Sequence, residues 1–396
     1  VCCYIARARS GASPLVVGRG YQIADGIKGG EVIDAEAAEA SIRAVLHEAE
    51  QQAGETVREV VLVVGAGRPR SLHVRVERPL GGRAVGGEDV RRALDRVKEE
   101  LTDPDFAVLH LAPVEAAVDG GRPLRDPRGI EGERLDLLVH AVVGHAAPLR
   151  DLAACLDRCH VTIVGLVPAA VAAAIATTTE EERERGCLVV DIGAGATQVA
   201  HLARGQTVYV DRLGKGGDRI VGDIAYALST SRRAAERVMN LHGSVAFRAS
   251  DDGCRIPVPL LGDRDDEPSG EIARPRLTFI VRARLEDILR ELAGRLAAAR
   301  DMVEPCPPRS VVLTGGVAQI DGITELVEEL FGLPARVGRP RRLDGLAAEP
   351  PCCAAAVGGL LKLAGEDGAP DWWRHDDAAT ITHGIARLKE WLRENF

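Results

Sequence analysis

The sequence predicts an α/β fold of two large units, with sheets covered by helices. Three observations carry that expectation. Strand-like and helix-like patterns alternate along most of the chain. Two solidly apolar runs, "CLVV" at 187–190 and "VVLT" at 311–314, stop just before glycines, as buried central strands do. At 396 residues the chain also exceeds what one core ordinarily holds, so two domains, or one domain with insertions, are expected.

Taken in order, residues 30–54 read as an amphipathic helix closed by Gly54, and "VREVVLVVGAG" at 57–67 as a buried strand running into glycines. The character changes over 68–145. The alternating "SLHVRVER", the charged helix "EDVRRALDRVKEEL" and two further strands read as an α+β insert with half-buried strands. "VTIVGLVPAAVAAAIA" at 161–176 is too short to cross a membrane comfortably and is interrupted by Gly165 and Pro168. It reads as a strand followed by a helix with Pro168 near its first turn. The regular pattern continues to 363, apart from a charged stretch at 250–271 expected to be a surface loop or hairpin. A faint echo between "VCCYIARARSG" at the start and "QVAHLARGQ" at 198–206 hints at two related halves.

Composition excludes some classes. Aromatic residues are 3% of the chain and the net charge is −9, which argues against a nucleic-acid binder that relies on phosphate neutralisation. Nine cysteines, an odd number without disulfide-module spacing, read as reduced, buried thiols of a cytosolic protein. Cys155, Cys159 and His160 read as an inward helix face rather than a metal site, because no further ligands follow at ordinary spacing. No cleavable signal peptide is recognised, so nothing marks the chain for export.

The chemistry concentrates in "CLVVDIGAGATQVA" at 187–200. Asp191 sits where its strand leaves the sheet. Gly193, Ala194, Gly195 and Ala196 let backbone N–H groups approach an anion, and Thr197 adds a hydroxyl. A carboxylate beside phosphates implies an intervening divalent cation, so Asp191 is the expected Mg²⁺ residue, acting partly through water. The plainer reading is a tight turn in an ordinary sheet. Gly315 and Gly316, after the second apolar run, invite close backbone approach to a nucleotide. "GKGGD" at 214–218 opens a helix, with Asp218 as the expected N-cap. Neither the P-loop nor the dinucleotide-binding glycine motif occurs.

With these glycine clusters in this order, the chain resembles the actin-like ATPase superfamily, and within it the FtsA family of bacterial cell-division proteins. "ADGIKGGEVID", the insert, "VVDIGAGATQVA", "GGDRIVGDIAYAL", "VVLTGGVAQIDG" and the terminal helix carry the resemblance, which spans nearly the whole chain. It implies an actin-like two-domain fold around a nucleotide cleft, with a small α+β insert replacing one actin subdomain. The first subdomain would comprise 1–67 and 146–184, the insert 68–145, the second subdomain 185–216 and 296–363, and a further inserted subdomain 217–295. The resemblance implies ATP and Mg²⁺ as cofactors: Asp191 toward the cation, Gly193 to Thr197 toward phosphates, Gly216 and Gly217 near the nucleotide, Glu236 near the ribose, and Gly315 and Gly316 near the adenosine. Departures are Ala194 and Gln198, where the family carries a glycine and an acid, and Met239, where a basic residue is frequent. The family's first phosphate hairpin would fall just before Val1. Pro168 falls near the usual water-positioning side chain, so slow hydrolysis at most is expected.

The same resemblance implies a scaffold that polymerises and tethers the tubulin-like protein FtsZ to the cytoplasmic face of the bacterial inner membrane at the division septum. The FtsZ C-terminal tail would dock on 217–295, and 68–145 would make self-contacts and meet later division proteins. Residues 364–382 read as a linker and 383–396 as an amphipathic helix. Its Ile385, Leu388, Trp391, Leu392 and Phe396 share one face. All three tryptophans, Trp372, Trp373 and Trp391, lie in this last stretch, as suits a membrane interface. Such a helix binds lipid weakly as a single copy and firmly only when polymerisation links several. Two other readings remain open at this point: an FtsA-like scaffold of type IV pilus assembly, which needs no lipid-binding tail, and a sugar-kinase-like phosphotransferase, for which no catalytic acid is visible.

Overall fold

The computed structural model describes residues 1–9, 12–263 and 269–365. The membrane-facing residues expected at 385–396 and nearly all of the linker lie outside them.

The first lobe opens with an antiparallel hairpin of β1 (Cys2–Arg9) and β2 (Ala12–Tyr21). The short pair β3 (Ile27–Lys28) and β4 (Glu31–Val32) leads to α1 (Ala35–Ala53). Asp34 caps that helix by accepting the Ala37 N–H at 3.2 Å, and Gly54 closes it. β5 (Glu59–Val64) follows. The chain then leaves the lobe for a compact unit of β6 (Arg70–Pro79), α2 (Gly87–Glu100), β7 (Phe106–Val118) and β8 (Arg134–His145). Its antiparallel sheet runs in the order β6-β8-β7, and α2 closes one face over Val76, Val90, Leu94, Val97, Leu135 and Val139. The strands of this unit are half-buried only in part: that core takes one face, while Ala107, Leu109 and Val142 on the other join the core shared with the helix at 169–177, so β8 is buried on both sides over 139–144.

After α3 (Ala146–Arg158), β9 (Thr162–Pro168) pairs in parallel with β5. Pro168 is the N-cap of α4 (Ala169–Thr177), a helix buried on every side. An apolar, alanine-rich helix of that kind belongs between layers rather than on a surface. A short helix α5 (Glu180–Arg185) crosses to the second lobe.

The second lobe is built on β10 (Cys187–Ile192), β11 (Thr197–Ala203) and β12 (Gln206–Leu213), followed by α6 (Gly217–Leu228) and α7 (Arg232–His242). The charged stretch of the sequence forms a hairpin of β13 (Arg255–Val258) and β14 (Gly270–Ala273). Then come α8 (Arg274–Ala298), α9 (Arg300–Val303), β15 (Val311–Thr314), α10 (Ile323–Phe331), β16 (Ala335–Val337) and α11 (Ala354–Leu363). The five-stranded sheet has the order β12-β11-β10-β15-β16, parallel across β10, β15 and β16. The first lobe repeats its outer pairs, an antiparallel hairpin (β1 and β2) and a parallel pair (β5 and β9), as two separate sheets.

The two faces of the five-stranded sheet have different partners. Leu188, Val190, Ile192, Val199, Leu213 and Leu313 pack against α6 and α8 of their own lobe. Cys187, Val189, Ala200, Val210 and Val312 pack against α4 and α11. The alternation follows from the period of two along each strand.

β12 is an edge strand, and the inserted unit covers its rim with side chains. Ser71 Oγ accepts the Val210 N–H at 2.6 Å and donates to the Val210 carbonyl at 3.1 Å. His73 Nε2 donates to the Val208 carbonyl at 2.8 Å. An exposed edge that could template further pairing is thereby satisfied.

Two expectations are corrected. Three of the nine cysteines, Cys2, Cys254 and Cys352, are exposed rather than buried, though all nine are free thiols. Asp218 is not the N-cap of α6: Gly216, in extended conformation, is the cap, and Asp218 lies in the first turn, paired with Arg232 at 2.7 Å.

Candidate functional site

Asp191 ends β10 on the face that looks toward the first lobe. Register places it opposite Gln198 on β11, and Gln198 opposite Arg212 on β12. The three polar side chains therefore form one row across the sheet's end, continuing the apolar rows Val189, Ala200 and Val210 behind them. Desolvation lifts the Asp191 carboxyl from 3.8 to about 6, and it is the sole influence on that group's acidity among the described residues. Gln198 Oε1 and Arg212 Nε are buried there without a hydrogen-bond partner among the described residues. Burial also lowers the basicity of the Arg212 guanidinium, with Glu31 opposing and Arg68 reinforcing the effect.

The hairpin between β10 and β11 is tied down from behind. Gly193 N–H donates to the Ala196 carbonyl at 3.0 Å. The N–H groups of Gly217 and Asp218 donate to the carbonyls of Gly193 and Ala194 at 2.9 and 2.8 Å. Gly216 and Gly217 therefore brace the phosphate-type hairpin by opening α6 directly under it. Thr197, fully buried, donates its hydroxyl to the Lys215 carbonyl at 2.9 Å, so its proton is committed to this bracing. Ala194 stands exposed at the tip, with Gly195 and Ala196 partly buried beside it.

Two close approaches shape the cleft. A Cβ on Gly195 would lie 2.8 Å from the Cα and N of Gly29, so the hairpin abuts the turn between β3 and β4 of the first lobe backbone to backbone. Gly315 has φ +85°, and a Cβ there would lie 2.4 Å from Asp191 Oδ1 and 2.5 Å from the Ile192 carbonyl oxygen. Only glycine fits that position. Gly316 begins a short 3₁₀ turn, Gly316–Gln319, with open space beside it. Glu236 lies exposed on α7, and Met239, one turn further on, is buried with its Cε 3.7 Å from where a Cβ on Gly217 would be. The structure thus brings Asp191, the hairpin, Gly216, Gly217 and Gly315 into direct contact, with Gly316 next in chain.

Beside α6 a cleft of about 390 Å³ is lined by Lys28, Lys215, Asp218, Arg219, Gly222, Asp223, Arg232 and Arg284. Lys28 is contributed by the first lobe. Sequence reasoning missed Arg212 and this basic lining. The hairpin register could have placed Arg212 in the Asp191 row, but the lining depends on how the lobes close.

The donor set fits a metal-bound phosphoanion: a carboxylate that desolvation holds above its ordinary range, an abutting pair of backbone turns without side chains, and a neighbouring guanidinium. Among the described residues no cluster of three or more histidine, cysteine or carboxylate groups is placed to hold a metal by itself. A cation at Asp191 would accordingly take most of its ligands from water and phosphate.

Two lobes joined at this cleft, with a small α+β unit inserted in the first, define an actin-like fold. In a type IV pilus biogenesis complex, PilM-PilN, a chain aligns with TM-score 0.61 at 17% identity, covering 92% of this chain and 96% of that one. At that identity the likeness speaks for the fold alone. Residues 188–358 match the family described as cell division protein FtsA, and residues 66–143 match the SHS2 domain inserted in FtsA. The cell division protein FtsA of Agrobacterium fabrum is 32% identical over 96% of this chain and 87% of its own length. The corresponding proteins of Pseudomonas aeruginosa and Escherichia coli are 29% and 28% identical, each over 96% of this chain and 92% of their own. The chain belongs to the FtsA family of cell division proteins.

Proposed function

We propose that this protein is an actin-like division scaffold that binds Mg²⁺·ATP between its lobes, self-associates, and tethers FtsZ to the inner face of the cytoplasmic membrane at the division site. The observation that carries the nucleotide part is Asp191: a desolvated carboxylate facing the other lobe, with Gly315 against its oxygen and the bare hairpin after it. Asp191 would hold the cation through water, Gly193 to Ala196 the phosphates, Gly315 and Gly316 the adenosine, and Glu236 the ribose. When bound, the cation supplies the positive charge that lets carboxylate and phosphate share the cleft. Pro168, the N-cap of α4, offers no polar group to orient water, which favours a slow or absent hydrolytic step.

Family membership supports the remaining parts of the reading. Residues 217–295 would receive the FtsZ tail. Tyr226 on α6, Leu261 after β13 and Phe279 on α8 are exposed there and supply apolar surface for a peptide. The inserted unit at 68–145 would mediate self-contacts and meet later division proteins. Among the described residues no helix is long and apolar enough to cross a membrane. Attachment would rest on the helix at 383–396, through Ile385, Leu388, Trp391, Leu392 and Phe396, on the leash at 364–382.

Liposome co-pelleting with a peptide of the FtsZ C-terminus, with and without Mg²⁺·ATP, tests this reading. Lipid binding that rises with protein concentration and falls in Trp391→Glu is expected. Unchanged pelleting of that variant would remove the tether.

A further inference from the structure

We propose that Cys352 and Cys353 form a reversible oxidation site, which a hydroperoxide closes into a disulfide between the two neighbouring residues. Their sulfur atoms lie 3.8 Å apart in the turn Pro351–Cys353 that opens α11, where Cys353 is the N-cap. Cys352 is exposed and Cys353 buried.

The surroundings of Cys353 are not those of an ordinary core thiol. The Tyr21 hydroxyl lies 3.2 Å from its sulfur. Glu349, buried four residues earlier in the chain, accepts from the Tyr21 hydroxyl at 2.7 Å, the Tyr4 hydroxyl at 3.1 Å and Arg19 at 2.7 Å. The two tyrosine hydroxyls also touch each other. A helix N-terminus favours a thiolate. The neighbouring Cys352 thiol, as hydrogen-bond donor, draws the Cys353 thiol below the ordinary thiol range, against burial and the nearby Glu349.

The chemistry balances with one equivalent of peroxide. The Cys353 thiolate attacks a peroxide oxygen, breaking the O–O bond, giving a sulfenic acid and releasing hydroxide. The Cys352 sulfur then displaces the sulfenic hydroxyl, which leaves as water with the Cys352 thiol proton, while the proton that Cys353 gave up on ionising neutralises the hydroxide. Two thiols are oxidised, and one peroxide is reduced to two waters.

The turn also grips the cleft. The Pro351 carbonyl accepts from the Thr314 hydroxyl at 3.0 Å and from the Gly315 N–H at 3.3 Å. Cα atoms of adjacent residues are about 3.8 Å apart, closer than the roughly 4.4 to 6.8 Å that disulfides usually span. Ring closure therefore twists the turn that carries the Pro351 carbonyl, and a weakened bond from the Gly315 N–H is the expected consequence. The strained bond is readily reduced.

The test treats the full chain with hydrogen peroxide and sequences the peptide holding both cysteines by mass spectrometry. Loss of two hydrogen atoms is expected there, at lower peroxide than oxidises the exposed Cys254, and reversed by dithiothreitol. Cys353→Ser should abolish it, and Cys352→Ser should leave a sulfenic acid at Cys353 that dimedone traps. Amide exchange over 311–320 should rise several-fold in the oxidised wild type and not in treated Cys353→Ser. Both thiols surviving while Cys254 oxidises would overturn the proposal, as would a bond from either thiol to Cys2 or to a second chain. Unchanged exchange in the disulfide form would overturn the link to Gly315.

Discussion

Arg212, on the edge strand of the second lobe, donates from Nη2 to the carbonyl oxygen of Gly29 in the first lobe at 2.5 Å. This bond spans the cleft at the point where Gly195 and Gly29 touch. It holds a half-buried guanidinium whose Nε has no partner among the described residues. Arg212→Ala should weaken lobe closure. A loss of about 1–2 kcal/mol in denaturant unfolding is expected, with faster proteolysis near residues 25–33, since a bond from a charged donor is worth roughly that once solvent screening is allowed for. Equal stability of the variant would show that closure rests on packing alone.

Gly315 and Gly316 are neighbours with opposite tolerances. Gly315→Ala places a methyl group against Asp191 in a left-handed backbone, so destabilisation of at least about 2 kcal/mol and loss of fluorescent ATP binding are expected. Gly316→Ala meets nothing within 4 Å and should stay within about 0.5 kcal/mol of wild type. Calorimetry of the pair decides whether the approach to Asp191 matters.

Two buried groups make the response to acid run in opposite directions. His201 is fully buried, and burial lowers it from 6.5 to about 4. The unfolded chain thus takes up that proton first, and stability falls as pH drops from about 6.5 to 4, by roughly 3 kcal/mol at the limit. Asp191 does the reverse. Raised to about 6, it is protonated in the folded state before the unfolded one, so its contribution to stability grows as pH falls from about 6 toward 3.8. Asp191→Asn should be more stable than wild type at pH 7 without Mg²⁺·ATP, by at most about 3 kcal/mol, and more acid-labile between pH 6 and 4. Denaturant midpoints across that range test both signs. A variant with the wild-type profile would place the Asp191 carboxyl in water.

Ser71 is the main hydrogen-bonding link between the inserted unit and β12. Ser71→Ala leaves the buried Val210 N–H without its acceptor, at a cost of about 1–3 kcal/mol. Hydrogen exchange at Val210 should rise well above that at Val199, which lies one strand further in. Equal protection would mean that water replaces the hydroxyl.

Much of this was legible before any coordinates, because the signals are local. A run such as Cys187–Ile192 is apolar on both faces only if both are covered, and Asp191 with bare backbone after it announces a strand end open to an anion. The cap of α6 was misread because Asp218 is the residue type that caps helices. The extended Gly216 takes the position instead, since the helix must start beneath the Gly193 carbonyl, a contact made across the hairpin. Contacts between distant parts were not legible at all. Tyr4 and Tyr21 reach Glu349 from the other end of the chain. Nothing near Arg212 in sequence foretells Gly29. Cysteine burial failed for the same reason: exposure of Cys254 and Cys352 depends on which turn faces outward, not on residue type.

The rim of β12 meets side chains of Ser71 and His73 instead of another strand's main chain. A ladder of backbone bonds slides only in steps of two residues, whereas hydroxyl and imidazole tips can tilt by fractions of an ångström and keep their partners. The inserted unit is therefore joined to that rim by side chains, and to the lobes by the buried Ala107, Leu109 and Val142, so a change of pairing within its own sheet need not pass as a register shift into the strand that carries Arg212.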